Sequence, residues 1–380
     1  MKIVTHAMIA AMVSTIVGCG GDGASSSSGS AGNRLEPADK TGITFSYNPM
    51  PITLADGEKI QLDTTNALEF ARLALVKATA FAINAQVNVG NLQSAESLFA
   101  QDQSQFSDTC PQGGMVQVSK FDQNGNFQID AGDSFTVSFT NCQNANGSLQ
   151  TDYDSYSGSV DSGALTTNSF VTARSFKATQ PSTRSTAEAS GTEGRRIVLG
   201  AGRYQYIANA PKNHISETEA GKGSSDYMMT MSLDVQGNQQ GANNPTVRMN
   251  LLEKGDSSTR IDIPKDKAYT AQADGLAVAL TDNAVADGNL VIESGGRLLI
   301  QALGNSSGRY LVRVGLDGNA DGTVERTCDF DYGELMNGTA SFQNPNCSMS
   351  TPPTSSEPVL GNLPLLGSLV SNVLGTLLPR

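Results

Sequence analysis

Two runs decide the fold: Val116-Gln-Val-Ser-Lys-Phe121 and Ser134-Phe-Thr-Val-Ser-Phe139. In both, apolar or aromatic side chains alternate with polar ones, the period-two signature of a strand with one buried face. Further strand candidates lie at Ser169–Lys177, Ile197–Ala208, Tyr227–Val235, Thr246–Leu252, Gly275–Leu280, Leu290–Glu293, Arg297–Leu303 and Arg309–Leu316. Turn formers separate them at Asn146-Gly147, Gly295-Gly296 and Asn305-Ser-Ser-Gly308. Short strands recurring at this spacing predict a mainly β protein, an antiparallel meander, sandwich or barrel-like sheet. Gln180–Arg195, polar and containing Pro181, reads as a long exposed loop.

Upstream, Thr64–Val87 carries a strong helix signal. Leu68, Ala71, Leu75, Ala78 and Ala82 recur at helical spacing, and Thr64, Thr65 or Asn66 can cap the start. This helix is expected to pack on the sheet. Strand patterns run on both sides of the 180–195 stretch, so residues 34–350 read as one domain.

The 380 residues carry a formal charge of −12, and only 16% of them are charged. An acidic surface repels nucleic acid and anionic headgroups, which excludes nucleic-acid binding and makes hard cations the natural small partners. Catalysis by a Ser–His–Asp or Cys–His set needs histidine, and the chain has two, His6 and His214. The G-x-S-x-G string Gly304-Asn-Ser306-Ser-Gly308 is followed by a strand pattern, whereas a nucleophile elbow leads into a helix. It therefore reads as a hairpin turn. A pair of carboxylates can meet in space without a sequence mark, so a carboxylate-based hydrolase stays open.

At the N-terminus, Lys2 precedes an apolar run from Ile3 to Val17, which ends in Gly18-Cys19. The run is shorter than the roughly 20 residues that span a bilayer. It resembles a bacterial lipoprotein signal peptide, in which the chain is cut before the cysteine and the cysteine is acylated. The resemblance implies a signal peptide over 1–18 and lipidation at Cys19. Because Gly20 and not aspartate follows, it also implies the outer membrane of a Gram-negative cell, with the membrane as partner through the anchor. Residues 19–33 then form the anchor and a Gly/Ser-rich tether. Removing 1–18 leaves 362 residues (380 minus 18) and, with Lys2 gone, a charge of −13.

Four cysteines remain: Cys110, Cys142, Cys328 and Cys347. In an oxidising compartment they read as two disulfides. Three connectivities exist, of which the local pairs Cys110–Cys142 and Cys328–Cys347 are favoured. The Cys110–Cys142 segment also loosely resembles hairpins of uncharacterised proteobacterial lipoproteins.

Two acidic segments resemble calcium loops of the EF-hand and dockerin type. In the first, Asp122, Asn124, Asn126, Gln128, Asp130 and Asp133 occupy loop positions 1, 3, 5, 7, 9 and 12. Phe127 stands where the turn glycine belongs. In the second, Asp317, Asn319, Asp321, Thr323 and Glu325 fit the first nine positions, with Gly322 in place, but Cys328 occupies position 12. The flanks of both read as strands. The alternatives are a calcium site or a plain hairpin turn, since Asp, Asn and Gly favour turns unaided.

Residues 351–361 form a Pro/Ser-rich linker, and 362–380 a short apolar C-terminal helix. Leu366, Leu369, Val370, Val373, Leu374, Leu377 and Leu378 make one stripe of it, capped by Asn362 with Pro364 in the first turn. This stripe either covers the protein's own sheet or contacts a partner, an amphiphile or the bilayer interface. The function expected from these features is that of a non-enzymatic outer-membrane lipoprotein, calcium-stabilised if the loops bind, that binds or scaffolds an envelope partner. The alternatives are a carrier of lipid or another amphiphile in a curved sheet, and the hydrolase.

Overall fold

The computed structural model describes residues 44–349, apart from 50–51, 100–104, 110–112, 127–133, 144–149, 161–165, 181–184, 201, 220–222, 239–243, 257–262 and 344–346. Fifteen strands form one antiparallel sheet in chain order. They are β1 (Gln105–Thr109), β2 (Met115–Phe121), β3 (Ser134–Gln143), β4 (Gln150–Val160), β5 (Thr166–Gln180), β6 (Ser185–Gly200), β7 (Arg203–Glu219), β8 (Gly223–Asn238), β9 (Thr246–Gly255), β10 (Ala268–Ala279), β11 (Ala284–Glu293), β12 (Arg297–Ser306), β13 (Arg309–Asp317), β14 (Arg326–Asp331) and β15 (Cys347–Met349). Among the described residues, two α-helices accompany them, α1 (Ala67–Phe99) and α2 (Tyr332–Asn337). The architecture is thus the meander among those the sequence allowed, with β1 and β15 at its edges.

Short connections make this order. Between β12 and β13, Ser307 and Gly308 both have positive φ (54° and 82°), which matches the twist of a tight hairpin. The amide of Gly308 donates to Asn305 Oδ1 at 3.0 Å. The G-x-S-x-G string is therefore a hairpin turn, as its flanks implied.

Cross-strand register separates two faces. One row runs Ala208, Leu233, Met249, Ala273, Leu290, Ile300, Val314 and Cys328, each opposite the next on the neighbouring strand. All eight are buried. The adjacent row, offset by one residue and so on the other face, runs Asn209, Ser232, Asn250 and Gln272, then turns apolar at Val291 and Leu299.

Helix α1 covers the apolar face. It packs against every strand from β7 to β13. Seven strands at about 4.8 Å spacing span roughly 29 Å, within the roughly 50 Å length of a 33-residue helix, and α1 is enclosed rather than laid on one surface. The burial pattern agrees. Ala74, Leu75, Val76, Ala78, Thr79, Ala80, Phe81 and Ala82 are all buried, which takes in every side of the helix rather than a stripe. Alanine suits this position, because a methyl group lets backbone approach backbone. Phe70 meets Tyr269 of β10 edge to face, with ring centroids 5.2 Å apart. Thr79 Oγ1 donates to the Leu75 carbonyl at 3.0 Å and lies 3.4 Å from the Tyr332 hydroxyl at the start of α2.

Four expectations are corrected. The helix runs to Phe99, beyond Val87. Its start is capped one residue earlier than Thr64–Asn66: Asp63 Oδ1 accepts from the Thr65 amide at 2.7 Å, and Asn66 Oδ1 accepts from the Asp63 amide at 3.0 Å. This reciprocal pair is a capping box in form. Gln180–Arg195 is no exposed loop, since 185–195 belong to β6. Strands on both sides satisfy its backbone, so a polar sequence can still be strand. Finally, Ile197–Ala208 is broken into β6 and β7 by a turn in which Gly202 has φ +74°.

The chain reaches α1 by passing around the strand ends. Residues 44–49 lie on the polar face, and Glu58 Oε1 meets Lys254 Nζ at 2.6 Å. The Gly295 amide donates to the Ile60 carbonyl at 2.7 Å. A Cβ on Gly295 would stand 2.7 Å from that same carbonyl oxygen, and one on Gly296 would stand 2.9 Å from the Gly318 carbonyl. The Gly-Gly pair expected as a turn thus also makes room for the crossing chain.

Candidate functional site

The polar face is best organised at β7–β9, where residues 44–49 form a strap. Asn209 Nδ2 donates to the carbonyls of Thr44 and Ser46, at 2.8 and 3.0 Å. The Asn48 amide donates to Ser232 Oγ at 3.0 Å, and that hydroxyl donates to Asn209 Oδ1 at 2.6 Å. Period-two geometry accounts for the arrangement: β7, β8 and β9 each contribute one residue, Asn209, Ser232 and Asn250, to a single row. All three are buried beneath the strap. They line, with Thr44, Asn48 and Thr230, a cavity of about 40 Å³. That volume and that polarity suit a water molecule or two.

The next row carries charge. Asp234, 2% exposed, accepts from Gln205 Nε2 at 3.0 Å and from Gln236 Nε2 at 3.2 Å, and stands 3.7 Å from an Arg248 nitrogen. Arg248 Nε donates to Asp274 at 2.9 Å, and its guanidinium lies 4.7 Å from the centre of the Tyr47 ring. Burial pushes the Tyr47 hydroxyl up to about 12, against the lowering pull of Arg248. Further along the same face, Arg313 makes a two-pronged contact with Asp329, at 2.7 and 2.8 Å. This contact is the first cause holding the Arg313 pKa above its ordinary value. Arg297 reaches Glu293 at 3.4 Å.

A second ionisable group lies on the opposite face, under α1. Lys77 pairs with Glu253, whose side chain is 2% exposed, and Tyr269 donates its hydroxyl to the same carboxylate. The Lys77 ammonium also sits over the Tyr227 ring, 4.8 Å from its centre. The cluster joins helix to sheet inside the core, so its geometry is that of an internal fastening.

The sequence-derived candidates fall as follows. Cys328 and Cys347 stand opposite one another on β14 and β15 and are disulfide-bonded. Cys110 lies outside the described residues, and so do Cys19, Gln128, Asp130, Asp133 and the whole stripe Leu366, Leu369, Val370, Val373, Leu374, Leu377 and Leu378. Asp122, Asn124 and Asn126 follow β2 as a turn, where the Gly125 amide donates to Asp122 Oδ1 at 2.7 Å and the Asn126 amide to Asn124 Oδ1 at 3.1 Å.

The second loop joins β13 to β14, so strands flank it as expected. Asp317, 2% exposed, accepts from the amides of Asp321 and Gly322, at 3.1 and 2.9 Å. Asp321 accepts from Thr323 at 2.7 Å, and Glu325 from Gly318 at 2.7 Å. The Thr323 amide is the first of the hydrogen bonds that hold the Asp321 carboxyl below its ordinary value. Asp317, Asp321 and Glu325 each serve as acceptors for the turn's own backbone. Among the described residues, no group of three or more His, Cys, Asp or Glu side chains is placed to hold a metal ion.

Sequence reading missed Asn209, Ser232, Asp234, Arg248 and Asn250. They occupy polar positions of alternating strands, where the period predicts only that they share a face. Nothing local announces that residues 44–49 cover them. No family model, curated protein or solved structure matches the chain.

Proposed function

We propose that this chain is a non-enzymatic lipoprotein of the outer membrane, held by acylated Cys19 and the tether to residue 33, that binds or scaffolds a partner in the cell envelope. One observation carries the reading. Helix α1 occupies the apolar face along β7–β13, while the other face is mixed: it bears the amide row and the Asp234–Arg248–Asp274 and Arg313–Asp329 contacts beside half-buried apolar side chains such as Val291 and Leu299. A carrier of amphiphiles needs an open apolar concavity. Here the helix and the side chains of Tyr206, Leu233, Met249, Tyr269 and Leu290 fill that space. The ordered charges and amides on that face suit contact with a polar macromolecule. The apolar stripe at Leu366–Leu378 would add a second contact, with a partner or with the bilayer interface.

Native mass spectrometry of the chain from Gly20 onward, exported behind a cleavable signal peptide and purified from the periplasm, tests the reading. The expected spectrum shows polypeptide free of lipid. A stoichiometric co-purifying lipid, removable by delipidation, would favour the carrier instead.

A further inference from the structure

We propose that Lys77 and Glu253 close into a covalent amide, an intramolecular isopeptide bond that ties α1 to β9. The bond is independent of the binding role proposed above. Its basis is the place in which the fold holds an amine and a carboxylate. Cross-strand register sets Glu253 of β9 between Met229 of β8 and Tyr269 of β10. Lys77 reaches it from the helix and contacts Oε1, while the Tyr269 hydroxyl donates to Oε2. Among the described residues, Lys77 and Tyr269 are the ion-pair and hydrogen-bond partners of this carboxylate. The side chains of Lys77 and Glu253 are 15% and 2% exposed. Tyr227, Met229 and Tyr269 around them are buried, and Phe70 closes against the Tyr269 ring.

Two physical effects favour closing. The first is orientation. A packed helix and a sheet hold the amine and the carboxyl in contact, which turns a bimolecular step into an effectively unimolecular one. The second is burial. Charges taken out of water lose their hydration, and their mutual attraction offsets that loss only in part. An amide carries no charge, and a site shut from bulk water protects it from hydrolysis.

The step balances within the pair. One ammonium proton passes to Oε1 and frees the Nζ lone pair. Nζ attacks Cδ of Glu253, and the Tyr269 hydroxyl stabilises the negative charge that develops on Oε2. A second proton moves from nitrogen to Oε1, the Cδ–Oε1 bond breaks, and water leaves. The product keeps one hydrogen on Nζ, and Oε2 becomes the amide oxygen, still accepting from Tyr269. No oxidant, reductant or activated donor is consumed. Tyr269 is the catalytic residue of this single turnover. Tyr227 confines the amine, with its ring centre 4.8 Å and its hydroxyl 3.5 Å from Nζ.

Intact mass spectrometry tests the bond, on the full chain from Gly20, exported behind a cleavable signal peptide, then reduced and alkylated. The expected mass is one water below that of the sequence. Trypsin should leave Lys77 uncut and yield a branched peptide joining it to the segment that bears Glu253. Lys77→Met lacks the amine and should weigh what its own sequence requires. Tyr269→Phe, sampled through time after synthesis, should lose water roughly a hundredfold more slowly.

A native chain at full sequence mass overturns the proposal. So does a missing water that maps elsewhere, for instance to a succinimide at Asp56-Gly57. Closing at native speed in Tyr269→Phe overturns the part given to Tyr269. Should that variant fail to fold, the native mass and the branched peptide decide alone. None of these outcomes bears on the binding role, which is read from bound lipid and from cross-links on the sheet.

Discussion

The fastening of α1 to the sheet depends on Lys77 and Glu253, and Lys77→Met is the sharpest probe of it. Both side chains are largely buried, 15% and 2% exposed. Methionine keeps most of the lysine's length and removes only the charge, so Glu253 keeps the Tyr269 hydroxyl but loses its counter-ion. Leaving a buried charge unpaired in this way costs about 3–5 kcal/mol. At about 2–4 °C per kcal/mol for a domain of this size, the melting temperature should fall on the order of 6–20 °C. Lys77→Met combined with Glu253→Gln removes both charges and keeps an acceptor for Tyr269. It should recover at least half of the loss, because the pair's desolvation cost vanishes with its attraction. Circular dichroism melts and urea titrations of the three proteins measure this. A shift under 2 °C for Lys77→Met, or a double variant less stable than the single, would refute the claim that this pair is sealed between α1 and β9.

Other expectations follow from the same geometry. Asp63→Ala should cost about 1 kcal/mol through loss of the α1 cap. Because the Thr65 hydroxyl and amide hold the Asp63 carboxyl below its ordinary value of 3.8, its contribution is complete above that pH and fades as pH falls through the lowered folded value; acid titration of the native and Ala forms should converge there. Gly296→Ala should destabilise by about 1–3 kcal/mol, since its Cβ meets the Gly318 carbonyl at 2.9 Å and the Leu62 side chain at 3.1 Å, whereas Gly57→Ala, with nothing within 4 Å, should leave the melt unchanged. Reducing Cys328–Cys347, which closes a loop of 19 residues, should cost about 3 kcal/mol in the chain-entropy estimate, and Cys347→Ser should reproduce the loss without reductant. Calcium or a chelator should move the melting temperature by less than about 1 °C, since the oxygens of Asp317, Asp321 and Glu325 already accept from the loop's own backbone; a rise of several degrees would identify a cation site there.

The fold was legible wherever period two coincided with one buried face. Arg297–Leu303 and Arg309–Leu316 read as strands because Leu298, Ile300, Val312 and Val314 enter the core while Gln301 and Arg313 stay on the polar side. The reading failed where pairing rather than burial makes the strand, as in 185–195, whose polar residues sit between β5 and β7. It also failed at the first half of β10, where Ala271 and Ala273 face the core with side chains too small to stand out in an alternation. The helix signal was sound at its centre but silent on how fully α1 is enclosed, because alanines buried on every side leave no apolar stripe. For the candidate site, cysteine spacing did indicate Cys328–Cys347. The strap and the cavity beneath it were illegible, because Thr44 and Asn209 meet across 165 residues through bonds to main-chain carbonyls, which no side-chain pattern records.

The most direct test of a polar working face is photo-cross-linking in living cells. A photoreactive residue replaces Asn289 or Gln301 on that face, or Gly57 in the exposed turn before α1 as a control. The account predicts discrete, reproducible adducts from Asn289 and Gln301 and none from Gly57. Adducts from Gly57 alone, with the sheet positions silent, would contradict it.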